Sequence, residues 1–384
     1  MPYPRGGADE DMTDWKKIRA EFPALENWTF LNTATFGQLS RRAMEAEACH
    51  FSRRDQYACS DFMEWFGDAD SIRGLIARLI HAQAEDIAFI PNASTGLSLL
   101  ISGIDWRPGD QVITLEHEFP NHYYYPSFLA ARGVEFVEVP YASFYDAINE
   151  RTRLVALSML NYSTGFRTPL AEIAPFLHKR GVLLYVDGTQ GLGALEFDAS
   201  AIRPAMLSVN GYKWMLSPTG AGFMYVDPAL RETLPPSVIG WRSHHEWRDH
   251  ENLHHGAPEF GANADKYEGG MLAFGPIYGL AASIEMMLEI GLGEIEERVM
   301  GLAALTRDAL RGAGGALLAD RDWHYDSPIV TAQFENRDAR IIVRELQARK
   351  VLVAARHGNL RVSPHFYNNE EDLERFEKEL KSVL

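Results

Sequence analysis

GVLLYVDGTQGLGALEFDASAIRPAMLSVNGYK, residues 181–213, is the stretch that decides the fold. Val182 to Val186 is a short apolar run with β-branched residues, bounded by glycine on both sides. A run of this kind reads as a fully buried parallel strand. It ends in Asp187, so a carboxylate stands where a buried strand meets a loop. In open α/β sheets that edge is where ligands bind. A second run, Ala205 to Val209, leads through Asn210, Gly211 and Tyr212 to Lys213.

An aspartate at one strand end and a lysine after a nearby one suggest a particular chemistry. A lysine that forms a Schiff base with a carbonyl cofactor needs a desolvated pocket to lower its pKa. A pyridine ring used as an electron sink needs a carboxylate to keep its nitrogen protonated. The plainer reading is a helix-capping aspartate and a surface lysine, and these two residues alone do not decide between them.

The chain has 384 residues, 46% apolar and 23% charged, as in an ordinary globular enzyme with a large core. A net charge of −16 excludes a binder of nucleic-acid backbones, which needs concentrated Lys and Arg. The two cysteines, Cys49 and Cys59, provide no disulfide framework and no cysteine-based zinc module. The first twelve residues lack an apolar signal core and read as a mobile arm, and no later run is long enough to span a bilayer. The expectation is a soluble, cytoplasmic protein without a membrane partner.

Outward from 181–213 the chain alternates strand and helix. A short helix is expected at Asp14–Ala20, a second from Ser40 (as N-cap) to about Arg54, and a longer one around Asp68–Ala82, where Asp68 and Asp70 read as N-terminal charges complementing the helix dipole. Ile87–Ile90 is a strand followed by Asn92-Ala-Ser-Thr-Gly96 and a helix. That arrangement offers backbone N–H groups to a phosphate, although it reads equally as an ordinary N-cap. Gln111–Leu115 ends in the aromatic loop Glu116-His-Glu-Phe-Pro-Asn-His-Tyr-Tyr-Tyr125, and Val134–Val139 and Leu154–Leu160 follow as strands. Ala221–Val226 returns beside the lysine loop. Residues 241–264 form a polar, histidine-rich loop, and the remainder reads as helices at Ile277–Ile290 and Glu294–Arg311 and a small α+β unit. The alternation calls for a mainly parallel, doubly wound sheet with right-handed crossovers.

With these pieces in order, the chain resembles the class V aminotransferase group of fold type I pyridoxal-phosphate enzymes, which includes cysteine desulfurases and isopenicillin N epimerase-like proteins. The motifs are EFPNHYYYP, VDGTQGLGAL, NGYKWMLSPTGAGFMYV, YEGGMLAF and LRVSPHFYN, and the resemblance runs from about residue 22 to residue 383. It implies an α/β/α sandwich around a mainly parallel, seven-stranded sheet. The division it implies is an arm over 1–25, a large cofactor-binding domain over 26–270 and a small α+β domain over 271–384. It implies pyridoxal 5'-phosphate as cofactor and a homodimer with shared active sites. Lys213 matches the Schiff-base lysine, Asp187 the partner of the pyridine nitrogen and Gln190 a group near the ring hydroxyl oxygen. Ser94, Thr95 and Gly96 match the phosphate cup, which Asn210 and Tyr212 join. Phe119 matches the flat group over the cofactor, with His117 as the competing alignment, and Asn161 and Tyr162 lie near the ring oxygen. Arg361 matches the clamp on the substrate carboxylate, with Asn32 and Trp241 beside the substrate.

The departures bear on the reaction. Met271 stands where relatives commonly carry a threonine that reaches the neighbouring subunit's phosphate. No cysteine follows Cys59, so a desulfurase mechanism through a persulfide in the C-terminal part has no nucleophile. Transamination is the first reading, with a carbon–sulfur lyase or an amino-acid epimerase as alternatives. A rival from another class is a metal-dependent hydrolase built on His244, His245, His250, His254 and His255, set against a merely solvated or substrate-lining loop; the expectation is no metal.

Overall fold

The computed structural model describes residues 13–384; the arm read as mobile over residues 1–12 lies outside the described residues. The central sheet has seven strands, in the order Ile87–Ile90, Gly222–Val226, Met206–Asn210, Leu183–Asp187, Thr152–Ser158, Gln111–Leu115 and Glu135–Val139. Gly222–Val226 runs antiparallel to both neighbours, and every other pairing is parallel. The carboxyl ends of the other six strands therefore open on one edge, with Ser158, Asp187 and Ser208 level in register.

Side chains alternate across the sheet with the period of two that a pleated strand imposes. Leu184, Val186, Leu207 and Val209 pack into one apolar layer with the helices Phe62–Ile80, Leu170–His178 and Phe274–Ile290. Tyr185, Met206 and Met224 pack into the opposite layer, against Leu97, Leu100 and Ile101 of the helix Ala93–Gly103. The result is the expected α/β/α sandwich.

Two local readings are corrected. The helix read from Asp68 begins at Phe62, because Trp65 and Phe66 are core residues of its first turns. Asp68 and Asp70 thus lie inside the helix and do not complement its dipole. Asp68 accepts a hydrogen bond from the Tyr278 hydroxyl, and Asp70 pairs with Arg73 and Arg248.

Beyond the sandwich, Ala316–Leu317, Val330–Gln333, Asn359–Val362 and Ala354–Arg356 form a second, antiparallel sheet. The helices Leu292–Gly312, Ala339–Ala348 and Glu370–Val383 enclose an apolar cluster with it. The segment 29–37 straps this unit to the lysine loop. Thr29–Phe30 pairs in parallel with Val351–Leu352, and the Thr33 N–H donates to the Ser363 carbonyl. The Gly37 N–H then donates to the Tyr212 carbonyl at 2.9 Å. A Cβ on Gly37 would lie 2.0 Å from the Lys213 carbonyl oxygen, so only glycine lets the strap pass this close.

Candidate active site

Asp187 closes its strand on the same face as Tyr185, at the edge where the carboxyl ends open. Its Oδ1 accepts from the Thr189 N–H at 2.9 Å. One strand over, the chain passes Asn210, whose Oδ1 accepts from the Ala93 N–H at 3.0 Å and so ties the lysine strand to the start of the helix Ala93–Gly103. Three residues on, Lys213 is 92% shielded from solvent, being 8% exposed. Its Nζ lies 5.5 Å from the centre of the Phe119 ring and 5.8 Å from that of Tyr212. Burial pushes its pKa down to about 8; Asp187 opposes the shift, and the charges of Arg361 and Arg356 add to it. No carboxylate of the described residues reaches ion-pair distance of Lys213, so a desolvated amine faces an aromatic wall.

The strap 29–37 supplies the opposite side. Arg361, on the strand Asn359–Val362, is 1% exposed. It donates to the Tyr162 carbonyl, to Thr35 Oγ1 at 2.6 Å and to Asn32 Oδ1 at 3.3 Å. Burial, with the nearby charge of Arg356, pushes this guanidinium down to about 9. Tyr162 sets its ring edge-to-face on Phe119 at 5.3 Å, and its hydroxyl lies 3.0 Å from His357 Nε2. His365 ties the C-terminal segment to the lysine loop. Its Nδ1 accepts from the Phe366 N–H, which leaves Nε2–H to donate to the Trp214 carbonyl at 2.9 Å.

Lys213, Asp187, Phe119, Tyr162 and Arg361 therefore converge with Asn32 and the opening of the helix Ala93–Gly103. Phe119, not His117, is the ring beside Lys213; His117 takes a positive φ of 63° and uses its carbonyl to accept from Asn161 Nδ2. Several other residues have protein partners of their own. Asn161 Oδ1 accepts from the Ser163 and Thr164 N–H groups, which builds the turn there. Gln190 donates to the Ala34 carbonyl at 3.0 Å and accepts from the Trp214 indole at 2.9 Å, so its amide fixes the strap to the lysine loop. The Thr95 N–H and hydroxyl both turn to Asn92 Oδ1, while Ser94 is exposed at the helix start. Gly96 is held by packing, since a Cβ there would sit 2.0 Å from Ser208 Oγ.

Trp241 does not join this constellation within the chain. Its ring packs on Phe66 and Trp247 at 6.0 and 5.7 Å, and its neighbour Arg242 is buried on Glu268. Met271 is 61% exposed at the end of the EGG turn. In the histidine loop, His244, Glu246 and His255 bring ligand atoms within 4.8 Å of one another. The two imidazoles stack with planes 13° apart, so their in-plane lone pairs run side by side instead of meeting at one point.

Reasoning from the sequence missed Glu118, His122, Thr35 and Arg356. Glu118 and His122 stand four apart across the loop and first turn of the helix Asn121–Phe128, inside a stretch read only for its aromatic residues. His122 is fully buried, with Nδ1 3.4 Å from Glu118 Oε2 and Nε2 3.9 Å from Asp187 Oδ2.

A buried lysine and aspartate at the switch edge of a parallel sheet, with a flat ring and a helix start around them, define an enzyme site of the kind that holds a planar, phosphorylated cofactor. The class V aminotransferase family model matches residues 61–376, and the chain belongs to that family. It is 25% identical to an uncharacterized aminotransferase, YcbU, of Bacillus subtilis, over 93% of this chain and 95% of that one. It is 26% identical to the isopenicillin N epimerase of Streptomyces clavuligerus, over 97% and 99%. Its fold is that of a cystine C–S lyase solved with cysteine persulfide, with a TM-score of 0.86 and 23% identity over 94% of this chain and 99% of that one.

Proposed function

We propose that the protein is a pyridoxal-phosphate enzyme acting on an amino acid, first of all as an aminotransferase. The observation that carries this reading is Lys213, enclosed, with no carboxylate of the described residues at ion-pair distance, beside Phe119 and across from Asp187. The residues present fit the cofactor. Asp187 would hold a proton on the ring nitrogen, Phe119 would cover one ring face, and the exposed Ser94 at the positive end of the helix Ala93–Gly103 would take the phosphate. When bound, the cofactor supplies an electron sink for a carbanion on the carbon that bears the substrate amine.

The chain's own groups account for the rest of the chemistry. A pKa of about 8 leaves a useful fraction of Lys213 neutral near pH 7, able to accept a proton at Nζ and return it. Arg361 presents a preformed fork for the substrate carboxylate. Burial of these groups excludes water from the proton transfer.

A carbon–sulfur lyase is the second reading, favoured by the fold shared with a cystine C–S lyase; amino-acid epimerisation is the third. A cysteine persulfide route has no nucleophile after Cys59. We further read the chain as half of a cytoplasmic homodimer, with the arm, large and small domains divided near residues 25 and 270; Trp241, Met271 and the histidine loop would then face the partner.

The deciding experiment is the absorption spectrum of purified protein given pyridoxal phosphate, beside Lys213→Ala. A visible band lost in the variant supports the reading and directs a screen of amino acids for keto acid, sulfide or inverted product. A protein with no such band sinks it.

A further inference from the structure

Two guanidinium groups meet at one hydroxyl in this site. Thr35 Oγ1 accepts from Arg361 Nη2 at 2.6 Å and lies 3.3 Å from Arg356 Nη2. Thr35 in turn donates to Asn32 Oδ1 at 2.8 Å, so its oxygen is oriented toward both arginines. Arg361 is fully enclosed and Arg356 half-buried. Among the described residues neither has a carboxylate at ion-pair distance; their partners are carbonyl, hydroxyl and amide oxygens.

That arrangement is costly for the protein alone. Like charges brought close repel, and among the described residues the enclosed Arg361 lacks the anion that normally accompanies a buried guanidinium. The same two charges bear on Lys213. One substrate carboxylate would satisfy Arg361 and leave Arg356 unmatched. We infer that the substrate carries a second anionic group, a carboxylate or an acid of similar shape on its side chain, read by Arg356 while Arg361 holds the α-carboxylate. The inference rests on the reading of Arg361 as the carboxylate clamp and adds the class of amino acid, an acidic one.

The strand geometry suits a two-point grip. Arg361 pairs with Ala354 across the antiparallel ladder, and Arg356 stands at the end of the same strand, opposite Asn359. The two arginines thus come from adjacent strands of one rigid sheet, joined by the two-residue turn His357-Gly358. His357 in that turn is fixed through Tyr162, whose carbonyl also holds Arg361. Their spacing is a property of the scaffold, which is what discrimination between one anion and two requires.

The test is calorimetric titration of the protein loaded with pyridoxal phosphate, using unreactive acids of matched length: glutarate against butyrate, and succinate against propionate. The dicarboxylates are expected to bind about tenfold or more tightly than their monocarboxylate counterparts. Arg356→Gln should bring that ratio to within about twofold without weakening the monocarboxylates, and Arg356→Lys should keep part of it. A wild-type protein with no preference, or a preference that survives Arg356→Gln, would overturn the inference. The wild-type comparison decides it even if the variant fails to fold. The visible band is recorded on the same sample, so a missing cofactor is told apart from a missing second anion site. If the band is absent, the titrations are run with inorganic phosphate present, and the same ratio supports or overturns the inference.

Discussion

His122 Nε2 stands 3.9 Å from Asp187 Oδ2, while its Nδ1 stands 3.4 Å from Glu118 Oε2. The site aspartate thus has an imidazole behind it, and the imidazole has a second carboxylate behind that. Burial alone would keep His122 neutral, but the charges of Glu118 and Asp187 outweigh it and raise its pKa. Glu118 answers in kind: burial pushes it up, and His122 with the Ser158 donors holds it below the usual carboxylate range. The unit is an imidazole between two buried carboxylates, whose charges favour its protonated form.

His122→Phe removes the imidazole and leaves Glu118 and Asp187 enclosed together. The expected cost is about 3–5 kcal/mol, the range for breaking a buried pair by deleting one partner. The chemical-denaturation midpoint measures it, with His122→Gln losing less because it can still donate. A midpoint equal to that of the wild type in His122→Phe would mean that the imidazole only fills space.

The fully enclosed His122 and His365 should respond to pH with opposite signs. His365 is pushed down to about 3 by burial, only partly opposed by its bond to Trp214. The unfolded chain takes up this proton near pH 6.5 and the folded one does not. Its contribution is therefore complete above about pH 6.5 and falls with acid, by up to roughly 1.4 kcal/mol per pH unit. His122, raised, behaves conversely: its contribution is complete below about pH 6.5 and is lost as pH rises through its folded value. Melting curves from pH 7 to pH 5 should show His365→Gln losing less than the wild type over that interval. A parallel loss in both would place the acid sensitivity elsewhere.

Lys213 titrates near pH 8 because it is buried, and Arg361 and Arg356 push it the same way. Removing Arg356 takes away one of the two like charges, so Arg356→Gln should raise that midpoint; Asp187→Asn, which removes the opposing carboxylate, should lower it. Acylation of Lys213 in cofactor-free protein, followed by peptide mass analysis across pH 6–10, reads the midpoint. Coincident curves for all three proteins would show that Lys213 is governed by burial alone.

How much of this was legible in the sequence follows from which forces act locally. The buried strands, the Asp187 strand end and the Lys213 loop are written in short β-branched runs and flanking glycines. The helix Glu370–Val383 is written just as locally: the Asn369 side chain accepts from the Asp372 N–H at its start, and the apolar spacing along it is strong. The helix at Phe62 was read six residues late, since its first turns bury aromatic side chains that carry no helical signature of their own. Thr35 and Arg356 escaped for a different reason. Each acts through a partner far away in the chain, as Thr35 does with Arg361, 326 residues on. No local pattern announces that kind of pairing.

Glu268 offers the sharpest test of the scaffold away from Lys213. Its carboxylate is 1% exposed and takes Arg73 at 2.6 Å, Arg242 at 2.7 Å and the Phe89 N–H at 2.7 Å. Burial would lower Arg73, and Glu268 outweighs it, so Arg73 is held above its ordinary value. One carboxylate therefore serves two buried guanidiniums and a backbone donor of the strand Ile87–Ile90, just before the helix that opens on the site. The Arg242 N–H also donates to the Gly269 carbonyl at 3.0 Å, so the same unit holds the EGG turn. Glu268→Gln keeps the shape but leaves Arg242 uncompensated and Arg73 with only Asp70 at its other end, and a loss of about 3–5 kcal/mol is expected. Adding Arg73→Met to that variant removes one stranded charge and should recover part of the loss, a coupling that a double-mutant cycle isolates. If the double variant is instead less stable by the sum of the two single losses, the triad is not a coupled charge unit, and Glu268 acts only through the Phe89 N–H.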